Sequence, residues 1–256
     1  MKTIDSKIGR KYGYFQSRHK NPFAFRYAPK SGVESPLPES VDLQPFCPPV
    51  VDQGNTSSCT ANAIAGAYQF ERMQAQITPL TPSRLFIYWN ERAAEGDTGQ
   101  DAGAFGGDGI NSLETIGVCD ESLWPFDPSQ LTVKPSDSAF AAALPHTVLQ
   151  RQVVTTLDDI KGAIADKHLV AFGISLYESF ESPAVASTGI VPVPSPAEGL
   201  LGGHEMDIVG YDDSRQMFKV RNSWGTSWGL SGYCWIPYSY VMSAGSDFEV
   251  ITAISN

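Results

Sequence analysis

The sequence predicts an α+β fold of two lobes, a helical lobe followed by a β-rich lobe. An Ala-rich run after Cys59 indicates a helix, and helix-like segments follow at 83–95 and 110–116. After Pro145 the pattern changes to apolar segments typical of strands, and so many antiparallel strands favour a barrel-like lobe. The predicted strands are 148–154, 169–176, 205–211, 217–221 and 232–236, interrupted by a short helix at 158–167. We expect an N-terminal segment at 1–36, the helical lobe at 37–145 and the β-rich lobe at 146–256.

The length and composition agree with two lobes. A chain of 256 residues, of which 42% are hydrophobic, can bury a substantial core. No apolar run reaches the roughly 20 residues of a transmembrane helix. The first residues lack the apolar centre of a secretory signal. A cytoplasmic location and export by another route both stay open.

Cys59 is the candidate nucleophile. It stands directly before the Ala-rich helical run, and Thr56, Ser57 and Ser58 precede it as plausible helix caps. A thiol attacks only after losing its proton, and an adjacent imidazolium and a helix N-terminus both favour that loss. The sequence therefore predicts an activated thiolate at this position.

Three further residues complete a predicted hydrolytic site. His204 follows two glycines and would exchange the proton with the thiol, while Asn222 would orient the imidazole through its amide oxygen. Attack on a carbonyl produces an oxyanion, for which the Gln53 side-chain amide and the Cys59 backbone N–H are the natural donors. Trp224 is expected to shield the bond between His204 and Asn222 from water. The pattern favours a cysteine hydrolase.

These motifs resemble those of the papain-like cysteine proteases. Residues 37–42 are similar to the start of a mature enzyme of that family, and Val51-Asp52-Gln53-Gly54 is similar to its oxyanion-glutamine motif. His204 with 209–211, and the run Asn-Ser-Trp-Gly-Thr-Ser-Trp-Gly at 222–229, resemble its histidine strand and asparagine block. Segments 81–88 and 117–125 resemble the bacterial branch. The resemblance implies the papain-like two-lobe fold, with the cysteine on a helix of one lobe and the histidine and asparagine on the other.

The resemblance also implies substrate contacts. Gly106 and Gly107 align with a Gly-Gly pair where the absent side chains let a peptide backbone form strand-like hydrogen bonds, although an ordinary turn is an equal alternative. Gly203 and Trp224 are expected beside the cleft. Glu205 takes a place near the second subsite, which predicts a preference for basic side chains.

Two departures from the family pattern concern structure. The usual disulfide partners are replaced by Thr56 and Ala104, which indicates a coherent variant without that bridge. Cys47, Cys119 and Cys234 then remain beside the proposed nucleophile. Their number is odd, so we expect mostly reduced thiols.

The N-terminal segment is basic, unlike the rest of the chain. Residues 1–34 contain eight Lys and Arg against two acids, a net charge of +6, whereas the remainder carries about −16. Opposite charges favour docking of the segment onto the enzyme. Its aromatic residues are suited to apolar subsites: Tyr12, Tyr14, Phe15, Phe23, Phe25 and Tyr27.

We therefore expect a short propeptide in the cleft. In the family such segments commonly lie in the non-productive direction. The strip 21–26 is peptide-like, and the Pro-, Gly- and Ser-rich stretch 28–36 is the expected hinge. A disordered basic tail or a nucleic-acid-binding arm is the alternative.

Several functional classes remain possible. The leading hypothesis is a cysteine peptidase acting on peptides or proteins as a monomer, with no cofactor, metal, nucleic acid or membrane partner. An acyltransferase or deamidase would use the same residues, because acceptor choice depends on cleft shape. A non-catalytic peptide-binding homologue would have no need of all four site residues.

Overall fold

The computed structural model describes residues 10–17, 25–30 and 36–255. Its strands are β1 (Tyr14–Phe15), β2 (Ser40–Asp42), β3 (Ala104–Phe105), β4 (Val148–Val153), β5 (Val170–Tyr177), β6 (Leu200–Asp212), β7 (Met217–Arg221), β8 (Tyr233–Pro237) and β9 (Gly245–Ile254). Its helices are α1 (Cys59–Gln74), α2 (Arg84–Glu95), α3 (Asp108–Thr115), α4 (Asp137–Ala143), α5 (Leu157–Ala165), α6 (Pro183–Thr188) and α7 (Tyr238–Ala244). The predicted α+β class is confirmed.

Local sequence signals set the bounds of the helices. Ser83 is the N-cap of α2, since its hydroxyl accepts the Phe86 N–H at 3.1 Å, and Gly96 ends the helix at φ 76°. Thr156 and Asp159 form a capping box at the start of α5. The predicted helices at 83–95, 110–116 and 158–167 are therefore confirmed to within two residues.

Seven strands form one antiparallel sheet. Its order is β4-β9-β5-β6-β7-β8, and β2 pairs with β6. β6 is the longest of these strands and is hydrogen-bonded to β5, β7 and β2. Its register is therefore fixed by three neighbouring strands. A strand held in this way gives its side chains fixed positions.

Two sequence expectations on the β-rich part were incomplete. The strand predicted to begin at Glu205 begins at Leu200. Pairing of Gly202 and Gly203 with β5 extends it. β9 was not predicted at all, because its mixed polar and apolar residues lack a clear alternation.

Two hydrophobic clusters form the interior. One lies under the sheet and includes Phe172, Ile208 and Val220, and the other lies among α1, α2 and α3 and includes Tyr68 and Phe86. α1 contributes to both clusters. It is therefore the element that fixes the helical part against the sheet.

Contacts at the start of the predicted helical lobe cross the predicted boundary between the lobes. β2 pairs with β6, and Leu43 packs in the cluster under the sheet, although both belong to the segment assigned to the helical lobe. The division at residue 145 stays a prediction. Within the described part of the chain, no helix is both long and apolar enough to cross a membrane.

Candidate active site

Cys59 is the first residue of α1 and is fully buried. Ser58 takes the N-cap position, but no side chain caps the helix. Its hydroxyl is instead 2.7 Å from the Thr56 hydroxyl and accepts from Asn62 Nδ2 at 2.9 Å. The prediction that these hydroxyls cap the helix was therefore wrong. The first helical N–H groups are left without a side-chain acceptor, as a site for a developing anion requires.

Opposing effects act on the thiol of Cys59. Burial is the largest and raises its pKa to about 12, whereas backbone hydrogen bonds from Glu205 and Gly13 lower it. Glu205 directly follows His204 in β6, so this contact brings the strand of the imidazole to the thiol. All four cysteines of the chain are free, as expected.

His204 is held in one orientation. Its Nε2 lies 2.8 Å from Asn222 Oδ1, and that oxygen also accepts the Ser223 N–H at 2.8 Å. Because Oδ1 is the acceptor, Nε2 carries the proton, and Nδ1 is free to take another. Nδ1 has no hydrogen-bond partner among the described residues. Burial lowers the pKa of His204 to about 4, opposed by the Asn222 bond and reinforced by the charge of Arg10.

Gln53 is tied to both parts of the site. Its Nε2 donates to Thr56 O at 2.9 Å, and its Oε1 accepts from the Ser223 hydroxyl at 2.6 Å. An amide nitrogen has two hydrogens, so one stays available for an oxyanion. Ser223 therefore links the amide of Gln53 to Asn222, its neighbour in sequence. This link was not predicted.

Comparison with known proteins agrees with this arrangement. The model of the papain family of cysteine proteases matches residues 37–253. The chain belongs to the papain family. It is a cysteine peptidase with the papain-like fold.

The similarity extends along most of the chain. An uncharacterised peptidase C1-like protein of Acanthamoeba polyphaga mimivirus is 41% identical over 218 residues, which is 80% of this chain and 70% of that protein. The crystal structure of xylellain, a cysteine protease from Xylella fastidiosa, is 38% identical with a TM-score of 0.88 and covers 94% of this chain and 96% of its own. The predicted resemblance to a bacterial member is thus confirmed.

More distant members are longer. Cysteine proteinase 1 of Entamoeba histolytica is 27% identical over 72% of this chain, which spans 58% of that enzyme. Procathepsin B of Trypanosoma congolense is 17% identical, with a TM-score of 0.75 over 96% of this chain and 87% of its own. The latter likeness concerns the fold alone.

Residues 10–13 of this papain-family chain lie across the site. Tyr12 packs its ring edge toward His204, with centroids 6.3 Å apart, and its hydroxyl donates to Glu181. Arg10 stacks over Trp224 at 4.2 Å. Gly13 packs closely against the residues that precede α1, since a Cβ on it would lie 1.8 Å from Ser57 O.

The same segment continues as a strand that is hydrogen-bonded to β3. β1 pairs in parallel with β3, and Ala104 N donates to Gly13 O and Gly106 N to Phe15 O, both at 2.8 Å. Gly203 also contacts this strand, since a Cβ there would lie 2.3 Å from Tyr14 O. Gly106 and Gly203 therefore touch residues of the segment, and their contact with a substrate stays a prediction.

The other predicted contact residues differ in position. Gly107 is the N-cap of α3 at φ 85°, and its Cβ direction faces Glu249 and Arg151 rather than β1. Its role in substrate binding stays a prediction. Glu205 is 4% exposed, and burial raises the pKa of its carboxyl well above the usual value, with neighbouring acids adding to the rise. The ring centroid of Trp224 lies 4.9 Å from that of His204, and its shielding role stays a prediction.

The aromatic residues of the segment do not share one role. Tyr12 and Tyr14 are buried in the cleft, whereas Phe25 is 70% exposed. Of the peptide-like strip 21–26, residues 21–24, with Phe23, lie outside the described residues, and so do 31–35 of the predicted hinge. Residues 10–17 lie in the cleft.

Sequence reasoning missed several residues that contact the segment. They are Gly103, Gly173, Glu181, Ser246 and Asp247. No motif surrounds them, and the last two belong to β9, which was not predicted. For Gly103 and Gly173 the signal was the glycine itself, because a missing side chain permits the close approach of another backbone or ring. Without the fold, such a glycine does not show which residue approaches it.

Proposed function

We propose that this papain-family peptidase is a zymogen-like enzyme in which residues 10–17 occupy the cleft and the groups of Cys59, His204, Asn222 and Gln53 carry catalysis. The observation that carries the proposal is the position of Gly13 between the thiol and β3. Its N–H contacts Cys59, and its carbonyl oxygen is bound to Ala104 N at 2.8 Å.

The orientation of Gly13 supports a non-productive fit. A nucleophile must reach a carbonyl carbon whose oxygen points toward the oxyanion donors. At Gly13 the carbonyl oxygen is instead engaged by β3, and the thiol receives an N–H. The segment thereby occupies the site without presenting a bond that the thiol can cleave.

Catalysis would follow once the segment leaves. His204 Nδ1 takes the thiol proton, and the Cys59 sulfur bonds to the substrate carbonyl carbon while its oxygen accepts from Cys59 N–H and Gln53 Nε2–H. His204 then donates the proton to the leaving amine as the C–N bond breaks. Water attacks the acyl-enzyme, giving its proton to His204, and the acid and free thiol are released. Asn222 and Trp224 hold the imidazole throughout.

Partner assignments follow from the same contacts. Peptides or proteins are the proposed substrates, and the segment is an intramolecular partner. Two of its described cations make contacts within the chain: Lys11 Nζ lies 3.0 Å from Asp101 Oδ2, and Arg10 stacks on Trp224. This supports an internal cap over a nucleic-acid-binding arm. A monomer is the proposed state.

The test adds one methyl group to the segment of the full chain. Gly13→Ala introduces a Cβ where only 1.8 Å separates it from a backbone oxygen, so it should expel the segment. Gly99→Ala is the matched control, because a Cβ there meets nothing within 4 Å. We expect cleavage of fluorogenic peptide amides to rise at least about 10-fold in Gly13→Ala, the effect of about 1.4 kcal/mol of lost docking, and to stay unchanged in Gly99→Ala.

The outcomes separate the parts of the proposal. Activity that survives Cys59→Ala would refute the assigned nucleophile. Equal activity of the Gly13→Ala chain and the unaltered chain would refute the role of the segment as a cap but not the peptidase activity. Product analysis in ¹⁸O-water with an added amine distinguishes the reactions. Peptide hydrolysis cuts the chain and labels the new C-terminal carboxylate, deamidation labels a side-chain carboxylate without cutting the chain, and acyl transfer to the amine introduces no label.

A further inference from the structure

Arg84 connects the two parts of the chain that carry the proposed oxyanion donors. It is the first residue of α2, and its side chain is 12% exposed. A cation at this end of a helix opposes the helix dipole, so the position is not favoured by the helix itself. Helix stability therefore does not explain this residue, whereas its contacts do.

Two neighbours fix the plane of the Arg84 guanidinium. Glu121 accepts from Nε at 3.0 Å and from Nη2 at 2.7 Å, which is a two-point contact along one edge. The ring of Phe126 covers one face, since Cζ of Arg84 lies 4.2 Å from the ring centroid. With one edge and one face held in this way, the direction of Nη1 is fixed as well.

One hydrogen bond of Nη1 reaches the peptide unit that precedes the Gln53 side chain. Nη1 donates to Asp52 O at 3.3 Å. The N–H of the same peptide unit belongs to Gln53 and donates to Ser223 O at 2.9 Å. A peptide unit is planar, so bonds at its C=O and at its N–H together fix its orientation. They thereby fix the point from which the Gln53 side chain extends.

The other hydrogen bond of Nη1 reaches the second donor through Asn62. Nη1 donates to Asn62 Oδ1 at 3.2 Å, and Asn62 Nδ2 donates to Ser58 O at 2.8 Å. Ser58 O and the Cys59 N–H belong to one peptide unit. Hydrogen bonds in a chain polarise one another, so this contact strengthens the Cys59 N–H as a donor. The two acceptors match the two hydrogens of Nη1.

We propose that Arg84 is a positioning residue that fixes the two oxyanion donors, Gln53 and Cys59, relative to each other. The inference rests on the proposed function, because it concerns the stabilisation of an oxyanion by those donors. Arg84 acts through its neighbours rather than on the substrate. Donors placed in advance stabilise the transition state more than the bound substrate, so a displaced donor lowers kcat and leaves KM almost unchanged.

Arg84→Met tests this role in the full chain, both unaltered and opened by Gly13→Ala. Methionine keeps an unbranched side chain but donates no hydrogen bond. We expect kcat for fluorogenic peptide amides to fall about 10- to 100-fold with KM within about 2-fold, a part of the loss caused by removing one oxyanion donor. The factor should be equal in both backgrounds, so the test does not depend on the cap.

Two further measurements on Arg84→Met separate positioning of the donors from a general loss of structure. A peptide aldehyde forms a thiohemiacetal with Cys59, and the oxygen of this adduct takes the oxyanion position. Its inhibition constant should rise by about the same factor as kcat falls. Alkylation of Cys59 by iodoacetamide forms no oxyanion, so its rate should stay unchanged.

Three comparisons serve as controls. Glu121→Gln breaks the same ion pair but leaves both Nη1 bonds, so thermal stability should fall as in Arg84→Met while kcat falls far less. Arg215→Met is the same substitution at an exposed position and should change neither kcat nor aldehyde inhibition. In a Gln53→Ala chain, Arg84→Met should cost less than it does beside an intact Gln53, because one of the two donors is already absent.

Each contrary result is distinct. Unchanged kcat in Arg84→Met, an equal loss of kcat in Glu121→Gln, or an alkylation rate that falls together with kcat would overturn the inference while leaving the peptidase intact. If Arg84→Met fails to fold, Asn62→Ala removes the link to Ser58 O, and an unchanged kcat in that variant is equally contrary. Absence of all cleavage in the unaltered and Gly13→Ala chains, with Cys59 also unreactive toward iodoacetamide, would refute the proposed function and this inference together.

Discussion

At Cys59 and His204, the occupied cleft favours neutral side chains. Burial raises the pKa of the thiol to about 12 and lowers that of the imidazole to about 4, and both changes oppose the charged pair needed for attack. The segment supplies part of this burial, and the charge of Arg10 adds to it at His204. Removing the segment restores water and favours the thiolate and imidazolium. We therefore expect occupation of the cleft both to block the site and to weaken its nucleophile.

Glu249 supports a prediction on pH. Burial raises the pKa of its carboxyl from 4.5 to about 7, although the guanidinium of Arg151, 3.4 Å away, opposes the rise. The folded protein thus binds more protons than the unfolded chain between these values, so the free energy of unfolding falls as pH rises from 4.5 to 7. We expect Glu249→Gln to remove up to about 3 kcal/mol of this fall.

Urea unfolding from pH 5 to 8 measures the change. Arg151 keeps Glu114 at 3.3 Å in the variant, so no cation is left alone. Glu39→Gln, at an exposed position, is the control. Parallel curves for Glu249→Gln and the unaltered chain would contradict the prediction.

At the scale of elements, the contact of α1 with the sheet positions Cys59 relative to His204. Gly66 faces the sheet at this contact, and a Cβ on it would lie 2.5 Å from Arg221 Nη1 and 3.1 Å from Asp207 Oδ2. Those two groups form a buried ion pair at 3.7 Å. The helix therefore approaches a charged pair closely through the absence of one side chain.

Gly66→Ala should destabilise the protein. Alanine favours a helix by about 1 kcal/mol over glycine, but the displaced ion pair should cost more, giving a net loss of roughly 1 kcal/mol or more in the free energy of unfolding. Thermal and urea unfolding measure it, with Gly99→Ala as the control in open space. A gain in stability would show that the helix moves away from the sheet without cost.

At the scale of the whole molecule, the N-terminal segment docks at two places. Residues 10–17 lie in the cleft, while Tyr27 pairs with β4 through its N–H to Val153 O at 2.9 Å. Asp166, at the end of α5, accepts from the Tyr27 hydroxyl at 2.6 Å and from Lys30 N at 2.7 Å. A second attachment raises the effective concentration of the first, so distant contacts should strengthen occupation of the cleft.

Asp166→Ala tests this coupling. It removes the acceptor of two bonds outside the cleft, so we expect basal activity of the full chain to rise about 3- to 10-fold, corresponding to about 0.6–1.4 kcal/mol. Adding Asp166→Ala to the Gly13→Ala chain should cause no further rise in activity, because the cleft is already open. A rise of the same size in both backgrounds would mean that Asp166 acts on the enzyme directly.

The sequence by itself determined the chemistry and most of the elements. Cys59 before a helical run, His204 in an apolar strand and Asn222 in a long motif are local patterns, and their residue types predict a function wherever the chain brings them together. Helix bounds followed for the same reason, since the Ser83 and Thr156 caps act within a few residues of themselves. The basic, aromatic segment also predicted a cap over the cleft.

Only the tertiary structure decided which residues meet. Ser223 reaches Gln53 across 170 positions, and Asp247 reaches Tyr14 across 233, so no periodicity or spacing connects them. β9 lacks a clear alternation because its bulge breaks the period of two. The sequence also could not show that residues 10–17 lie in the cleft, because the glycines that admit a backbone there come from several separate elements. Contacts of this kind depend on the fold as a whole, since long-range packing brings together residues whose local sequences carry no mark of each other.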